Sequence, residues 1–133
     1  MSTRRILVSS GTEFEATVGY SRAVRVGPCI AVSGTTAPGD DIGSQTREVL
    51  RRIEGALTEA GAALGDVIRT RSYVTDTARW REVAAVHAEV FGQIRPASTT
   101  VEVAALIEPG LLVEIEADAY SPSIGNPPSA LGR

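Results

Sequence analysis

Cysteine, histidine and long apolar runs are nearly absent from this 133-residue sequence, and each absence excludes a class of protein. Cys29 is the one cysteine, so the chain forms no internal disulfide and no cysteine-based zinc cluster, and we expect it to pack as a small apolar residue. His87 is the one histidine, and it does not indicate a metal site. The N-terminal segment "MSTRRILVSS" has too few apolar residues for a signal peptide or a membrane span, so we expect a cytoplasmic protein.

Charge and aromatic content argue against a nucleic-acid partner. The formal net charge is -3, and acidic and basic residues are interspersed without a sustained basic stripe. Aromatic residues make up 5% of the chain, which is few for stacking on bases. The length and the 43% of hydrophobic residues fit one compact domain. We place this domain at residues 1–121 and expect the Pro-, Gly- and Ser-rich tail at residues 122–133 to be flexible.

Hydrophobic periodicity predicts strands interrupted by two helices. "ILVSS", "SRAVRVG" and "CIAVSGTTAPG" are typical of strands, the last one buried on both faces. Apolar residues at three- and four-residue spacing predict a helix over residues 44–62, starting at Ser44, and "VIRTRSYVTD" predicts the next strand. "TARWREVAAVHAEVF" predicts a second helix, and alternation predicts strands at residues 101–106 and in "LLVEIEADAY". We expect "SSGTEFEATVGY" to be a loop.

The order β-β-β-α-β-α-β-β indicates an α+β fold in which one mixed sheet carries two helices on one face. The sequence contains no glycine fingerprint of a nucleotide-binding fold. Such a layout leaves the second face of the sheet without a cover. In a chain this small, self-association is the simplest way to cover that face, so we expect a homo-oligomer.

Several motifs occur in the order typical of one protein family. They are "VGYSRAV", "AVSGTTAPG", "REVLRRIEGALTEAGAALGDVIRTRSYVTD", "VEVAAL" and, after a short "EPG" turn, "LVEIEADA". Together they extend over residues 20–120 and resemble the Rid family of reactive intermediate deaminases, also called YjgF or L-PSP proteins. The resemblance implies a chorismate-mutase-like (YjgF-type) fold, a homotrimer, and small-molecule pockets in the clefts between subunits. It also implies hydrolysis of imines and enamines without a cofactor or a metal ion.

The resemblance assigns candidate site residues to the early strands and to the last strand. Tyr20 matches a pocket tyrosine, Ser33 and Gly34 match the loop that lines the cleft, and Glu114 matches the glutamate that positions water. A carboxyl group in a cleft beneath apolar strands is expected to have a raised pKa. Such a group suits general acid or base catalysis of imine hydrolysis, tautomerisation or condensation. We therefore predict that Glu114 is the catalytic residue.

The stretch "PASTTVEVAAL" departs from the family pattern at the substrate-binding end. In deaminating members an arginine follows the "PA" dipeptide and binds the substrate carboxylate, a task that suits a guanidinium. Ser98 occupies that position here, Thr100 occupies that of a family cysteine, and Ala84 that of an asparagine in the second helix. We interpret Ser98, Thr99 and Thr100 as a pocket floor that hydrogen-bonds a neutral or differently charged ligand.

Several charged residues have two interpretations. Arg95 either replaces the missing guanidinium from a shifted position or caps the C-terminus of the second helix. Arg69 and Arg71 share a strand face with Tyr73, and either line a pocket or pair with the acidic strands. Glu102 is expected to pair with an arginine of a neighbouring strand. Without the family resemblance, the acidic face of the last strand is typical of a solvated sheet edge.

The second predicted helix contains Trp80 and His87, whose rings are candidates either for the core or for a site. Trp80 is expected to anchor the core, because tryptophan more often does so than it serves as a stacking platform. His87 lies next to the apolar stripe of that helix, which favours partly buried packing over catalysis.

Two functions stay open from the sequence. The first is a trimeric, cofactor-free enzyme acting on an imine, an enamine or a related reactive carbonyl intermediate, for which a dedicated step in specialised metabolism suits the altered pocket. The second is a noncatalytic ligand-binding or interaction protein on the same scaffold, since the arginine is also expected to be lost from a site that no longer catalyses a reaction. An endoribonuclease activity, sometimes attached to this family, finds little support in an acidic chain with few aromatic residues.

Overall fold

The computed structural model of the protein describes residues 4–122, so the tail predicted at residues 122–133 lies outside the described residues except for Pro122. The strands are β1 (Arg5–Val8), β2 (Ala23–Val26), β3 (Cys29–Thr35), β4 (Val67–Val74), β5 (Ala97–Glu102) and β6 (Val113–Tyr120). The helices are α1 (Glu13–Val18), α2 (Ile42–Glu59) and α3 (Trp80–Phe91). Short 3-10 turns, Leu64–Asp66 and Thr77–Arg79, precede β4 and α3.

The strands form one six-stranded sheet in the order β1-β2-β3-β6-β4-β5. Neighbouring strands are antiparallel except β4 and β5, which are parallel. Helices α2 and α3 pack on one another and against one face of the sheet. The predicted α+β fold, with a mixed sheet and two helices on one face, is confirmed. We call the face that neither α2 nor α3 covers the open face.

The alternation of β6 shows how the sequence separates the two faces. Val113, Ile115 and Ala117 are buried toward the helices, whereas Glu114 and Glu116 lie half buried on the open face. Side chains of successive strand residues point to opposite faces, so an apolar–acidic alternation places every carboxylate on one side. The helix-covered side buries an aliphatic core that α2 supplies with Val49, Leu50, Ile53 and Leu57.

Helix α2 begins at Ile42, two residues before the predicted start, because Asp41 is its N-cap. The Asp41 side chain accepts a hydrogen bond of 2.8 Å from the Ser44 amide, and the Ser44 hydroxyl lies 3.2 Å from the Asp41 amide. This reciprocal capping box satisfies two amides that have no partner within the helix. Ser44 is therefore the third helical residue and not the start. The helix ends at Glu59, shortly before Gly61, whose φ is 80°.

The stretch predicted as a loop before β2 contains the short helix α1. None of its residues is buried, and Gly19 ends it with a φ of 87° in the left-handed region. The Glu15 carboxylate accepts a 2.7 Å hydrogen bond from the Ser10 amide. Because this one short helix buries no apolar face, no hydrophobic periodicity marks it in the sequence.

Strand β5 begins at Ala97 and ends at Glu102, so the strand predicted at residues 101–106 is displaced toward the N-terminus. It lies at the sheet edge, parallel to β4, and does not pair with β6. A parallel neighbour requires a crossover connection, which α3 supplies between β4 and β5. The prediction for Glu102 is also wrong: its carboxylate accepts hydrogen bonds from the Thr77 amide at 2.8 Å and hydroxyl at 3.0 Å, and it pairs with no arginine within residues 4–122.

Strand β3 is buried on one face of the chain and exposed on the other. Ile30 and Val32 pack under the helices, whereas Cys29 and Ala31 are exposed on the open face. The predictions that this strand is buried on both faces and that Cys29 is packed are therefore wrong for the single chain. The physical reason is that α2 and α3 lie on the same side of the sheet and leave the open face uncovered.

Arg25 is a buried cation in β2 that periodicity does not reveal. It faces the helices beside Ala23 and is 0% exposed. Its Nε donates to the Gly27 carbonyl at 2.9 Å, its Nη1 donates to the Ala60 carbonyl at 2.9 Å, and its Nη2 donates to the Ser121 carbonyl. Ala60 is the C-cap of α2, so this guanidinium joins the end of the helix to the sheet.

Candidate functional site

The Glu114 carboxylate lies directly against the backbone of Gly34 on the open face. The register between β3 and β6 shifts between Val32 and Thr35, which places Gly34 in an irregular segment of β3. A Cβ added to Gly34 would overlap Oε2 of Glu114 and would lie 2.9 Å from its Cδ. Glycine is therefore required here for the close approach of the carboxylate, and not for an unusual backbone conformation.

Arg22 holds this irregular segment in place. Its Nη1 donates to the Gly34 carbonyl at 3.2 Å and to the Thr35 hydroxyl at 2.6 Å. The guanidinium carbon lies 5.9 Å from the centroid of the Tyr20 ring, within the range of a cation–π contact. The Arg22 Nε is buried and has no hydrogen-bond partner among residues 4–122. Sequence reasoning missed Arg22, which directly precedes β2 and lies outside any strand alternation.

The environment of Glu114 raises the pKa of its carboxyl group above the ordinary value. Burial is the largest cause, and the negative charge of Glu116 on the same face adds to it. The positive charge of Arg22 acts in the opposite direction. The carboxyl is therefore held closer to the protonated form than an exposed glutamate, which suits a group that both takes and gives a proton.

The next carboxylates of β6 are paired with side chains of β4. The Tyr73 hydroxyl donates to Glu116 at 2.5 Å, and this bond is the main cause that raises the pKa of the Tyr73 phenol. Arg71 Nη1 lies 3.1 Å from an Asp118 oxygen and 3.6 Å from a Glu116 oxygen. The interpretation that Arg71 pairs with the acidic strand is confirmed. Glu114 differs from its neighbours, since Arg71 and Tyr73 form no hydrogen bond with it among the described residues.

Ser33 forms a backbone contact. Its hydroxyl donates to the Ser21 carbonyl at 2.6 Å, and its amide donates to the Arg22 carbonyl at 3.0 Å. Both bonds tie the end of β3 to the segment that carries Tyr20 and Arg22. Ser33 thus positions this part of the site, and its oxygen lone pairs remain as hydrogen-bond acceptors.

The second group of candidate residues lies on the other face, in a groove between α3 and the strands β4 and β5. The groove has a volume of about 230 Å³. Residues that line it are Trp80, Ala84 and His87 from α3 and Ser72, Ser98 and Thr100 from the strands. Ser98 and Ala84, which occupy the positions of the family arginine and asparagine, have small side chains that leave this space open.

Three polar side chains form a connected chain behind this groove. The Thr70 hydroxyl oxygen is 2.9 Å from His87 Nε2 and 2.9 Å from the Ser98 hydroxyl oxygen. Burial lowers the pKa of the His87 imidazole, so the ring is neutral at pH 7. The ring also packs against Phe91, with centroids 4.7 Å apart. His87 therefore has a packing contact and a polar contact, and sequence reasoning identified only the first.

Strand alternation separates the hydroxyl residues that we expected to form one pocket floor. Ser98 and Thr100 pair in register with Thr70 and Ser72 on the helix-covered face, whereas Thr99 pairs with Arg71 on the open face. The structure thus brings Ser98 and Thr100 together and places Thr99 away from them. The expectation of a floor made by all three residues does not hold within one chain.

Arg95 lies outside the groove. It has a φ of 59°, and its backbone amide donates to the Phe91 carbonyl at 2.8 Å, at the end of α3. Its side chain lines a separate depression together with His87 and Pro96. Arg95 therefore caps the end of α3 through its backbone, and its guanidinium is not among the lining groups around Ser98.

Trp80 is exposed, which contradicts the prediction that it anchors the core. It is 47% exposed at the start of α3, and the Arg81 guanidinium carbon lies 4.6 Å from its ring centroid. The indole lines the groove together with Ser98 and Thr100 of the edge strand β5 instead of packing in the core. An indole at a groove mouth offers a flat apolar surface to a ligand.

The two groups of candidate residues lie on opposite faces of the sheet. Gly34 and Glu114 belong to the open face, with Tyr20 next to them through its contact with Arg22, whereas Ser98 and Thr100 belong to the groove under α3. A single chain therefore does not close one pocket around all of them. Within residues 4–122, His, Cys, Asp and Glu side chains form no group of three or more that would hold a metal ion. No helix of the same residues is long and apolar enough to cross a bilayer.

Comparison with known proteins gives consistent relatives for nearly the whole described chain. Residues 10–121 match the family described as Endoribonuclease L-PSP. The crystal structure of a Mycobacterium tuberculosis member of the YjgF/YER057c/UK114 family has a TM-score of 0.87 and 68% identity, covering 88% of this chain and 99% of that one. The 3-aminoacrylate deaminase RutC of Acinetobacter baylyi is 38% identical over 80 residues, which are 60% of this chain and 63% of the relative. The crystal structure of E. coli TdcF with bound serine has a TM-score of 0.71 and 25% identity, covering 76% of this chain and 87% of TdcF.

Proposed function

Because the chain belongs to the Rid/YjgF/L-PSP family, we propose that it is a cofactor-free enzyme acting on an imine, an enamine or a related reactive carbonyl intermediate. The observation that carries this proposal is the half-buried Glu114 carboxyl, which lies on Gly34 with a raised pKa. One relative is named a 3-aminoacrylate deaminase, and aminoacrylates are enamines. Another relative holds serine, which supports a small polar molecule as the ligand.

The active cleft is proposed to lie between subunits of a homotrimer. The two groups of candidate residues lie on opposite faces of one chain, so a cleft containing both needs two copies of the chain. In this arrangement the open face of one subunit, with Tyr20, Gly34 and Glu114, meets the groove of its neighbour. Exposed apolar side chains on the open face, Leu7 at 61% and Tyr120 at 50%, support its burial by another copy.

The proposed reaction adds water to a carbon–nitrogen double bond. The Glu114 carboxylate takes a proton from water as the water oxygen bonds to the imine carbon, and it delivers this proton to the nitrogen to give a carbinolamine. The same carboxylate then moves the hydroxyl proton to the nitrogen, the carbon–nitrogen bond breaks, and a carbonyl compound and ammonia leave. An enamine is first protonated by the carboxyl at its β-carbon to give an iminium, and the resulting carboxylate takes a proton from the nitrogen to leave the imine. The sequence contains no lysine, so the reaction does not use a lysine Schiff base.

The natural substrate is proposed to lack the carboxylate that the family arginine binds. Ser98 supplies a hydroxyl at that position, and a hydroxyl provides one hydrogen bond and no charge. The same change is the observation that favours the alternative function, a noncatalytic ligand-binding or interaction protein on the same trimeric scaffold. Turnover of any imine or enamine that depends on Glu114 distinguishes the two.

Replacing Ser98 with arginine is expected to raise kcat/KM for freshly generated 2-aminoacrylate. A charge-assisted pair contributes about 1.5–3 kcal/mol, which corresponds to a gain of about 10- to 100-fold. Ser98 is exposed at a groove with space for a longer side chain, so the variant is expected to fold. Initial rates of ammonia release by both proteins measure the effect.

A matched control for this prediction is Thr58→Arg, which adds the same charge at an exposed position of α2, away from both groups of candidate residues. It is expected to leave the rate with 2-aminoacrylate near that of the unaltered protein in folded preparations. High activity of the unaltered protein on 2-aminoacrylate would show that another cation binds the carboxylate and that our interpretation of Ser98 is wrong. Inactivity of both proteins toward 2-aminoacrylate and toward imines without a carboxylate would favour the noncatalytic alternative.

Replacing Gly34 with alanine is expected to displace the Glu114 carboxylate and to reduce turnover about 10²-fold or more, the effect of misplacing a catalytic group. The overlap involves the far end of a flexible side chain, so the fold is expected to survive. Gly55→Ala, which adds a methyl group in open space within α2, is the control and is expected to retain full turnover. Equal turnover of Gly34→Ala and the unaltered protein would contradict the proposed position of the reacting carboxylate.

A further inference from the structure

The hydrogen-bonded chain from His87 through Thr70 to Ser98 connects the helix α3 to the mouth of the groove. Thr70 is 0% exposed in β4 and lies 2.9 Å from both partners. Ser98 is exposed at the other end, in the position where deaminating relatives are expected to bind a carboxylate. The presence or absence of a proton on His87 Nε2 therefore determines how the Ser98 hydroxyl, which occupies the position of the family arginine, can hydrogen-bond a ligand.

The number of protons in this chain decides which of its members donates in each hydrogen bond. Thr70 has one hydroxyl proton, and each of its two contacts requires one proton between the paired atoms. If His87 carries its proton on Nε2, it donates to Thr70, Thr70 donates to Ser98, and the Ser98 proton is free for a ligand. If Nε2 is unprotonated, Thr70 donates to it, Ser98 donates to Thr70, and Ser98 offers a ligand only lone pairs. His87 thus decides whether Ser98 is a donor or an acceptor.

The rest of the groove selects for the charge of the ligand. Trp80, Val83 and Ala84 give it apolar walls, and neither lysine nor arginine is among its lining residues within the described part of the chain. A carboxylate placed there exchanges its hydration for hydroxyl contacts without an opposing charge, which is unfavourable. A neutral carbonyl oxygen loses less hydration and is satisfied by a single hydroxyl donor.

We propose that His87 is a positioning residue which, through Thr70, presents the Ser98 hydroxyl as a hydrogen-bond donor to the neutral carbonyl oxygen of an amide-like or ketone-like ligand. This inference rests on the proposed function only in treating the groove as part of the ligand cleft. It adds a ligand class, neutral carbonyl compounds with an apolar body against Trp80, and assigns a role to His87 and Thr70.

Binding of a matched probe pair, benzamide and benzoate, tests the proposal. Trp80 is the single tryptophan of the chain and borders the groove, so its fluorescence reports occupancy directly. The unaltered protein is expected to bind benzamide about tenfold more tightly than benzoate. The neutral carbonyl of benzamide is satisfied by the Ser98 hydroxyl, whereas the carboxylate of benzoate is left without an opposing charge, and one unsatisfied buried polar group has an effect of this size. Ser98→Ala is expected to weaken benzamide binding about three- to tenfold, the effect of one lost hydrogen bond.

Variants of His87 separate a positioning role from simple packing. His87→Glu, whose ionised carboxylate only accepts hydrogen bonds, is expected to weaken benzamide binding by the same factor as Ser98→Ala, because Thr70 then donates to it and Ser98 donates to Thr70. His87→Gln, whose amide nitrogen donates from the Nε2 position, is expected to retain most of the binding. In the Ser98→Ala background, His87→Glu is expected to have no further effect, because the two residues act through one chain. Thr70→Val removes the connecting hydroxyl and frees the Ser98 proton, so it is expected to retain benzamide binding even when it is combined with His87→Glu.

Several outcomes would overturn the inference. They are benzoate binding as tight as that of benzamide, no binding of benzamide at millimolar concentration, and a loss in His87→Glu that persists in the Ser98→Ala background. The probes need no turnover, so their binding and the turnover of imines are measured separately on the unaltered protein. Selective binding without any imine turnover would reject the proposed function and retain this inference, and turnover without selective binding would do the opposite.

Discussion

Replacing Glu114 with glutamine is expected to lower kcat for imine hydrolysis by about 10²- to 10⁴-fold, the contribution of a general acid/base. The amide retains the shape of the side chain against Gly34 but neither takes nor gives a proton under these conditions. Binding of a neutral ligand is expected to change much less than kcat, because glutamine keeps the shape and polarity of the side chain that the proposed cleft contains. Steady-state rates of ammonia release and ligand titrations measure the two effects separately.

Stability gives an independent check on the same variant. The pKa of the Glu114 carboxyl is raised by burial, so its contribution to stability is full below the ordinary pKa of a glutamate and is lost as the pH rises through the folded-state pKa. Glu114→Gln removes this cost, and its free energy of unfolding at pH 7 is expected to equal or exceed that of the unaltered protein. A variant that is both inactive and stable is typical of a residue retained for function.

The control is Glu54→Gln, an exposed position on the outer side of α2. It also neutralises one carboxylate and is expected to change neither rate nor stability measurably. Retained turnover in Glu114→Gln would reject this carboxyl as the proton-transfer group. Loss of turnover together with loss of the folded state would show a structural role instead.

Glu116→Gln tests whether the charge of Glu116 raises the pKa of the Glu114 carboxyl. The Glu116 charge raises the pKa of the Glu114 carboxyl, so its removal is expected to shift the acidic limb of the rate profile toward lower pH. This change acts on the pH dependence more than on the maximal rate.

Local pattern predicted the parts of the fold that depend on neighbours in the sequence. Alternation in β6 correctly placed Glu114 and Glu116 on one face, because successive strand residues point in opposite directions whatever the strand pairs with. The same reasoning identified α2, whose buried stripe repeats every three to four residues. The family resemblance added Tyr20 and Gly34, which no periodicity distinguishes from other loop and strand residues.

Features that depend on distant parts of the chain were not predictable in this way. Strand β5 pairs with β4 and not with β6, and this register decides that Ser98 and Thr99 face opposite sides of the sheet. Trp80 is exposed beside the edge strand β5, and the sequence of α3 does not encode which strand lies next to it. A residue's face is set locally, but what covers that face is set by topology.

The split between Glu114 and Ser98 has the same origin. Each lies on a strand whose alternation is clear, yet the two strands present them to opposite faces, separated by the sheet. The proposed pocket that combines them requires a second copy of the chain. Sequence motifs therefore identified the members of the proposed site, whereas the geometry within one chain indicates that two copies are needed to bring them together.

Replacing Arg25 with methionine is expected to lower the free energy of unfolding by about 3–5 kcal/mol, because each buried carbonyl left without a donor costs about 1–3 kcal/mol. The guanidinium is 0% exposed and donates to the carbonyls of Gly27, Ala60 and Ser121. Methionine fills a similar volume but donates no hydrogen bond. Its partners lie as many as 96 positions away in the chain, so the loss is also expected to reduce the cooperativity between α2 and the end of β6.

Urea denaturation at matched protein concentration measures this effect, since assembly itself contributes to apparent stability. Arg52→Met is the control, because Arg52 also donates to a backbone carbonyl, that of Thr36 at 3.0 Å, but its side chain is 46% exposed. Water replaces the lost donor at an exposed position, so the expected change is below about 1 kcal/mol. Equal losses in the two variants would contradict the argument that burial, and not the hydrogen bond alone, makes Arg25 essential to the fold.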